Sequence, residues 1–525
     1  MIKIGAIFAS ATALSFAGVL AGLALHAQPG PLAQSWPTYN GDLSGRRFSS
    51  LAAINDSNVG SLHLAWTYKV DSGEPGSNNP SGTPLMSDGV IYLSTQDYAF
   101  AIDAHTGKQI WHYTWLSKGA RHFSNRGMGM FGNFVYFETP DCNLVALNKA
   151  DGTLRWSKTI ADIDQFYYCS VAPVVIGNHI IAGVSGDDLD IAGYIEAHDP
   201  ETGALQWRFY TVPQKKGDAG VNTWPNVDMA SHGGGMTWQP VTYDPDTKLV
   251  YVTTGNPQPV IANVNRKGDN LFTASVVAVH ADTGTMAWWF QTSPHDTHDW
   301  DSTQTAVLFD GTIDGQPRKL LAIAARNGHF FVLDRVTGKA YVHAEFVKTN
   351  WSLGYDAKGQ PIPNPEKFPS ISGALVSPNQ GGAANWFPPT FSPQTGLFYI
   401  SANHAFSVYY LYDDSDNPQG WGGNDRGGWS ESMLEAIDYK TGKIKWSHPW
   451  EGGNNSGLLS TAGNLIFTGA PGSFFEALKA TTGDPLWHAK LQAPVRVPPS
   501  TWELDGNQYV LVGSGNTLYA FTLAK

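Results

Sequence analysis

The chain has 525 residues and is acidic, with 45 Asp and Glu against 33 Lys and Arg and a formal charge of −12. No basic run interrupts that balance, which excludes nucleic acid as the main partner, because phosphate recognition needs clustered Lys and Arg. Its 56 Gly, 32 Pro and 19 Trp, with few long runs of helix formers, predict short strands joined by turns.

Residues 1–27 read as a signal peptide. Lys3 is the only charge, an apolar run extends to about Leu25, and Leu25-His26-Ala27 places a small residue before a cut. The length of the apolar run leaves an uncleaved membrane anchor as the second reading. No further stretch of spanning length follows. The expectation is an exported, periplasmic protein with no membrane span in the mature chain. Cys142 and Cys169 belong to no CxxC or CxxCH, which gives no support to a zinc ribbon, a thioredoxin-type centre or an attached c-type haem. A disulfide and two separate buried thiols stay open.

One unit then recurs. It is an apolar pair, Ala, often an Asp two residues on, then a Thr-Gly or Asp-Gly turn with Trp four residues after the Gly. Copies run over 101–111, 146–156, 197–207, 278–288, 436–446 and 477–487, with a degenerate copy, LDRVTGKAYV, at 333–342. Each reads as two strands around a tight turn, with the Trp packing between neighbouring units. Repeats about 40–50 residues apart predict propeller blades. Two longer gaps hold extra hairpins, YDPDTKLVYVTT (243–254) and FSPQTGLFYIS (391–401). An orphan LAWTYKV (64–70) resembles the last strand of a blade completed by the C-terminal QYVLVGSGNTLYAFTL (508–523). Seven repeats and that closing unit predict an all-β, eight-bladed β-propeller with tryptophan-docking repeats, a single domain over 28–525.

His298-Asp299-Trp300-Asp301 sets two carboxylates two residues apart. On an extended chain both face one side. There they hold a hard cation, or one holds it while the other takes a proton. Alone, an Asp-x-Asp in a polar loop reads as a solvated turn.

Its company changes that reading. From WPTYNGDLSGRRFSSL (36–51) onward the chain carries NRG (125–127), SGDD (185–188), NTWP (222–225), GGGMTW (233–238), TGNP (254–257), GDN (268–270), HDWD (298–301), RNG (326–328) and NW (385–386), in that order. In these it resembles the pyrroloquinoline quinone (PQQ) dependent alcohol dehydrogenases, exported eight-bladed quinoproteins. The resemblance implies that Trp238 forms the floor on which the planar quinone lies. A large flat face suits a flat cofactor. It implies Asp188, Asn256, Asp299 and Asp301 as metal ligands, oxygen donors suited to a hard cation, and Asp299 as the base that takes the substrate hydroxyl proton. Arg126 and Arg326 match cationic positions that hydrogen-bond the quinone, and Ser170, Ser185 and Asn385 match polar contacts at its edge. Asp301 is similar to the second acid of the lanthanide-dependent branch, which favours a lanthanide ion over calcium.

The departures are as definite. The family has two adjacent cysteines where this chain has Ala120-Arg121, a Glu where it has Ser81, commonly Glu at Asp188 and usually Lys at Arg326. The ceiling of the pocket must therefore be built differently, with Arg121 and His122 as candidates. Gly127-Met-Gly-Met-Phe-Gly132 fits GxGxxG but leads into strand-like NFVYFET, so no nucleotide site is expected. The acidic run 413–428 lacks the closing Glu of an EF-hand loop and reads as a flexible insertion at the rim. The resemblance implies oxidation of a small alcohol substrate, with electrons passed to a separate cytochrome c or similar acceptor, since no haem motif is present. Two alternatives stand beside it, a non-catalytic propeller scaffold and a sugar or polyol quinoprotein dehydrogenase. The sequence leaves the oligomeric state open.

Overall fold

The computed structural model describes Met1 and residues 34–119, 125–186, 189–262, 266–412, 421–452 and 456–524. The rest of the predicted signal peptide, residues 120–124 with Arg121 and His122, and the expected ligand Asp188 lie outside the described residues. Among those described, strands form eight sheets of four or five strands and one two-stranded ribbon, and Val227–Ser231 is the one α-helix. No helix among them is long and apolar enough to cross a membrane.

Each repeat folds as the last hairpin of an antiparallel meander. The first complete one runs Leu85–Ser87, Val90–Ser94, Tyr98–Asp103 and Gln109–Thr114, with the Thr106-Gly107 turn between the last two strands. Inner strands are buried and outer ones exposed: Tyr194–His198 is buried throughout, whereas Leu205–Tyr210 is mostly exposed. The repeat's Trp lies over the turn of the following repeat. The Trp111 indole donates to Lys149 O at 2.9 Å, Trp207 to Ala281 O at 2.8 Å and Trp446 to Ala480 O at 3.1 Å. A Cβ at Gly152 would lie 2.6 Å from Trp111, and one at Gly483 2.5 Å from Trp446, so only Gly fits these turns. In the degenerate repeat Val342 stands where the Trp would be, and Gly442 packs on Val342 and Ala344.

The ends of the fold meet. Leu62–Lys69 pairs antiparallel with Thr517–Leu523, completing the sheet that Val495–Leu504 and Asn507–Ser514 begin. Phe48–Ser49 adds in parallel to Leu458–Thr461. Arg47 is wholly buried and donates to the carbonyls of Tyr39, Leu458 and Pro499, which ties the N-terminal segment to the last two sheets.

One expectation needs correcting. The run 413–428 is in part a strand. Residues 413–420 lie outside the described residues, but Gly423–Asp438 runs antiparallel to Leu397–Leu411, with Leu411, Tyr410, Tyr409 and Val408 opposite Gly423, Asn424, Asp425 and Arg426. The partner strand supplies the apolar side chains, so a polar, Gly-rich segment is held extended against its own propensity. Gly127–Gly132 is a hairpin, Met128–Phe131 onto Phe134–Glu138, with no helix after it.

The meander also decides where a site forms. A hairpin joins the first two strands of a sheet, so the start of the first and the end of the second lie at the same end. Arg126, Ser170, Trp238, Asp299, Asp301 and Gln380 precede first strands. Ser185, Asn256 and Arg326 follow second strands. Five successive sheets thus deliver their loops to one place.

Candidate active site

These loops enclose a cavity of about 320 Å³ lined by Trp238, Arg126, Arg326, Asp299, Asp301, Asn256 and their neighbours. Trp238 follows Thr237, which exchanges backbone and side-chain hydrogen bonds with Val184 (2.9 and 3.0 Å). That pairing fixes the indole beside Ser185. The guanidinium of Arg126 stacks over Trp238, 4.5 Å from the ring centroid, and donates to Ser170 Oγ at 2.5 Å. Ser170 Oγ lies 3.3 Å from Ser185 Oγ. Beneath them Glu138 is fully buried. Its two oxygens accept from Val171 N (3.0 Å) and Gly183 N (3.1 Å), bracing both serine-bearing segments, and burial pushes its carboxyl up to about 8. Cys142 and Cys169 form a disulfide that anchors the Tyr168–Ser170 stretch, so of the two open readings the pair is the one observed.

The acidic side centres on Arg326. Its Nη1 donates to Asp301 Oδ2 at 2.6 Å and its Nη2 to Asp299 Oδ2 at 2.9 Å. The two acids do converge, but not as alternate residues of a strand. Asp299 has φ +63°, in the left-handed region, within an irregular segment. Asp296 folds that segment, accepting from Trp300 N at 3.0 Å and His298 N at 3.3 Å, and burial raises its carboxyl to about 6. Trp300, between the acids, is 1 % exposed and turns away from the cavity onto Trp351 and Tyr409. Burial lowers His298 to about 4, and its Nε2 faces Lys367 O at 3.0 Å, so the ring is neutral at pH 7 and points away from the reacting space.

Asn256 completes the set. Its backbone N–H donates to Asp301 Oδ1 at 2.7 Å and its Nδ2 to Pro257 O at 3.1 Å, while its Oδ1 is buried with no hydrogen-bond partner among the described residues. A buried acceptor left orphaned beside two carboxylates is the donor set a hard cation requires. An indole and two guanidinium groups lining one cavity are suited in chemistry to a flat, anionic quinone. The residues present therefore fit both a cation and PQQ.

Eight of the ten expected site residues line this cavity: Arg126, Ser170, Ser185, Trp238, Asn256, Asp299, Asp301 and Arg326. Asp188 is outside the described residues. Asn385 is not in the lining. Its side chain closes a local turn, Nδ2 to Gly381 O (2.9 Å) and Oδ1 from Trp386 N (2.8 Å). Ser81, at the family's Glu position, donates to Asn125 O at 2.8 Å and supports the segment that carries Arg126. Sequence reasoning missed Tyr168, Gln380 and Trp421, all in the lining. The only signals were the Gly-Gly pair after Gln380 and the acidic run 413–428 that contains Trp421.

Comparison with known proteins agrees with the geometry. Residues 36–370 and 426–510 match the family described as PQQ glucose/ethanol/alcohol dehydrogenase, β-propeller domain. The chain is 36% identical to the quinoprotein alcohol dehydrogenase PedH of Pseudomonas putida over 522 residues, 90% of this chain and 84% of that protein. It superposes on the quinohemoprotein alcohol dehydrogenase of Comamonas testosteroni with a TM-score of 0.87 at 32% identity, covering 94% of this chain and 81% of the other. It superposes on a europium-containing methanol dehydrogenase at 0.86 and 27%, covering 94% and 98%. The relatives are oxidoreductases, so the scaffold alternative falls. A cavity lined by an indole and a guanidinium-clamped acid pair, a matching family model over most of the chain and relatives at 36% identity together place this protein in the PQQ-dependent alcohol dehydrogenase family of β-propeller quinoproteins.

Proposed function

We propose that the protein oxidises a primary or secondary alcohol in the periplasm and passes the electrons to a separate cytochrome c or similar acceptor. The observation that carries the reading is the convergence of Asp299 and Asp301 on Arg326, beside the orphaned Asn256 Oδ1 and next to Trp238. The eight sheets and the indole-to-turn contacts support eight blades with tryptophan docking. When bound, PQQ would supply the two-electron oxidant for the alcohol. Trp238 would hold the cofactor's plane, Arg126 and Arg326 would offer donors to its oxygens, and Asp299 would take the hydroxyl proton. Asn256, Asp301 and Asp299 would hold the cation, with Asp188 the further ligand that the family resemblance implies. Asp301 adds a negative ligand, which favours a lanthanide over calcium, as does the likeness to the europium-containing enzyme. The test is a PQQ titration in the presence of a light lanthanide. Saturable quenching of indole fluorescence at one PQQ per chain is expected, and Trp238→Ala should weaken it about tenfold or more. A protein that binds no PQQ would sink the reading.

A further inference from the structure

Gln380 stands in no assigned role, yet it completes the ring around Asp299. Its Nε2 donates to Asp299 Oδ2 at 2.7 Å, the same oxygen that Arg326 Nη2 reaches at 2.9 Å. Its backbone carbonyl accepts from Arg326 Nε at 3.0 Å and Nη2 at 2.7 Å. One residue thus holds both members of the ion pair. The loop that carries it is itself built for closeness. Ala383 N donates to Arg326 O at 2.8 Å, the Trp300 indole donates to Asn379 O at 3.0 Å, and a Cβ at Gly382 would sit 2.1 Å from Arg326 Cγ. The residue between the two acids therefore anchors the loop that carries the amide.

A carboxylate whose one oxygen receives two N–H donors from different loops is fixed in rotation about its Cβ–Cγ bond. Arg326 alone cannot fix it, because its guanidinium is shared with Asp301. We infer that Gln380 is a positioning residue for the alcohol oxidation. Together with Arg326 it engages Asp299 Oδ2 and so fixes the orientation of the carboxylate that takes the substrate hydroxyl proton. The inference rests on the functional reading above. Rate in such a step depends on placement to within about 1 Å, where a misplaced group costs on the order of 10²-fold.

The experiment compares wild-type protein, Gln380→Leu and Gln380→Met, each loaded with PQQ and metal. Met keeps the unbranched chain and so covers the case in which Leu packs badly. Both variants are expected to lower kcat about 10- to 100-fold with KM changed less than about threefold. The deuterium isotope effect on kcat with the 1,1-dideuterated alcohol should rise as the chemical step becomes limiting. PQQ affinity by fluorescence and metal content by elemental analysis should stay at wild-type values. A kcat within about twofold of wild type in both variants overturns the inference. So does a loss of PQQ or metal that parallels the loss of kcat, since Gln380 would then hold the cofactors. A wild type that turns over no alcohol overturns the functional reading and this inference with it.

Discussion

Asp299→Asn is expected to lower kcat by about 10²- to 10⁴-fold while PQQ stays bound. The substitution keeps the shape of the side chain and one oxygen, which still accepts from Gln380 and Arg326. The indole of Trp238 and the Arg126 guanidinium above it are untouched. What is lost is the group that accepts a proton and one charged ligand to the cation, so metal content is measured beside the rate and saturating metal is used. The loss should fall on kcat and kcat/KM alike, as for an interaction made only in the transition state. Steady-state rates with saturating alcohol, beside a PQQ titration of the same protein, separate the two effects. A variant that keeps more than about a tenth of wild-type kcat would remove Asp299 from the role of base.

Asp301→Ala is expected to cut lanthanide-supported turnover about tenfold more than calcium-supported turnover. The Coulomb attraction of a carboxylate for a trivalent ion is about half as large again as for a divalent one at the same distance. Asp301 also has structural work, since it pairs Arg326 Nη1 and caps the Asn256 amide. Removing it leaves a buried N–H without an acceptor, at a cost of about 1–3 kcal/mol. That damage is common to both metals and cancels in the ratio of the two rates. Equal loss with lanthanide and calcium would contradict the metal assignment and leave Asp301 as a structural acid.

The repeat was legible because each unit solves the same local problem. A Thr-Gly turn, a strand on either side and a Trp four residues on recur wherever a meander must cover its neighbour. Even the degenerate copy kept its Gly, and Val342 took the smaller role. The acids, the indole and Asn256 were legible as motifs. Their geometry was not. Asp299 turns toward the cavity from a left-handed backbone that Asp296 shapes, and no periodicity encodes that. Gln380 reaches Asp299 across 81 residues of chain, through a loop whose path is set by Arg326 and Trp300. Such contacts belong to the fold and leave no local trace. Asn385 lies in a recognisable motif yet stands outside the cavity lining, with its side chain bonded to Gly381 and Trp386 in its own turn. The segment Gly423–Asp438 became a strand because Leu397–Leu411 lay open beside it, a fact of pairing that composition hides.

The central claim is that this cavity oxidises alcohols with PQQ. The most direct measurement is the rate of reduction of an artificial dye by the wild-type protein on adding alcohol, with PQQ and metal supplied together and each withheld in turn. Turnover is predicted only when alcohol, PQQ and a lanthanide or calcium ion are all present. No turnover across a broad panel of alcohols with either metal, in protein shown to bind PQQ, would contradict it.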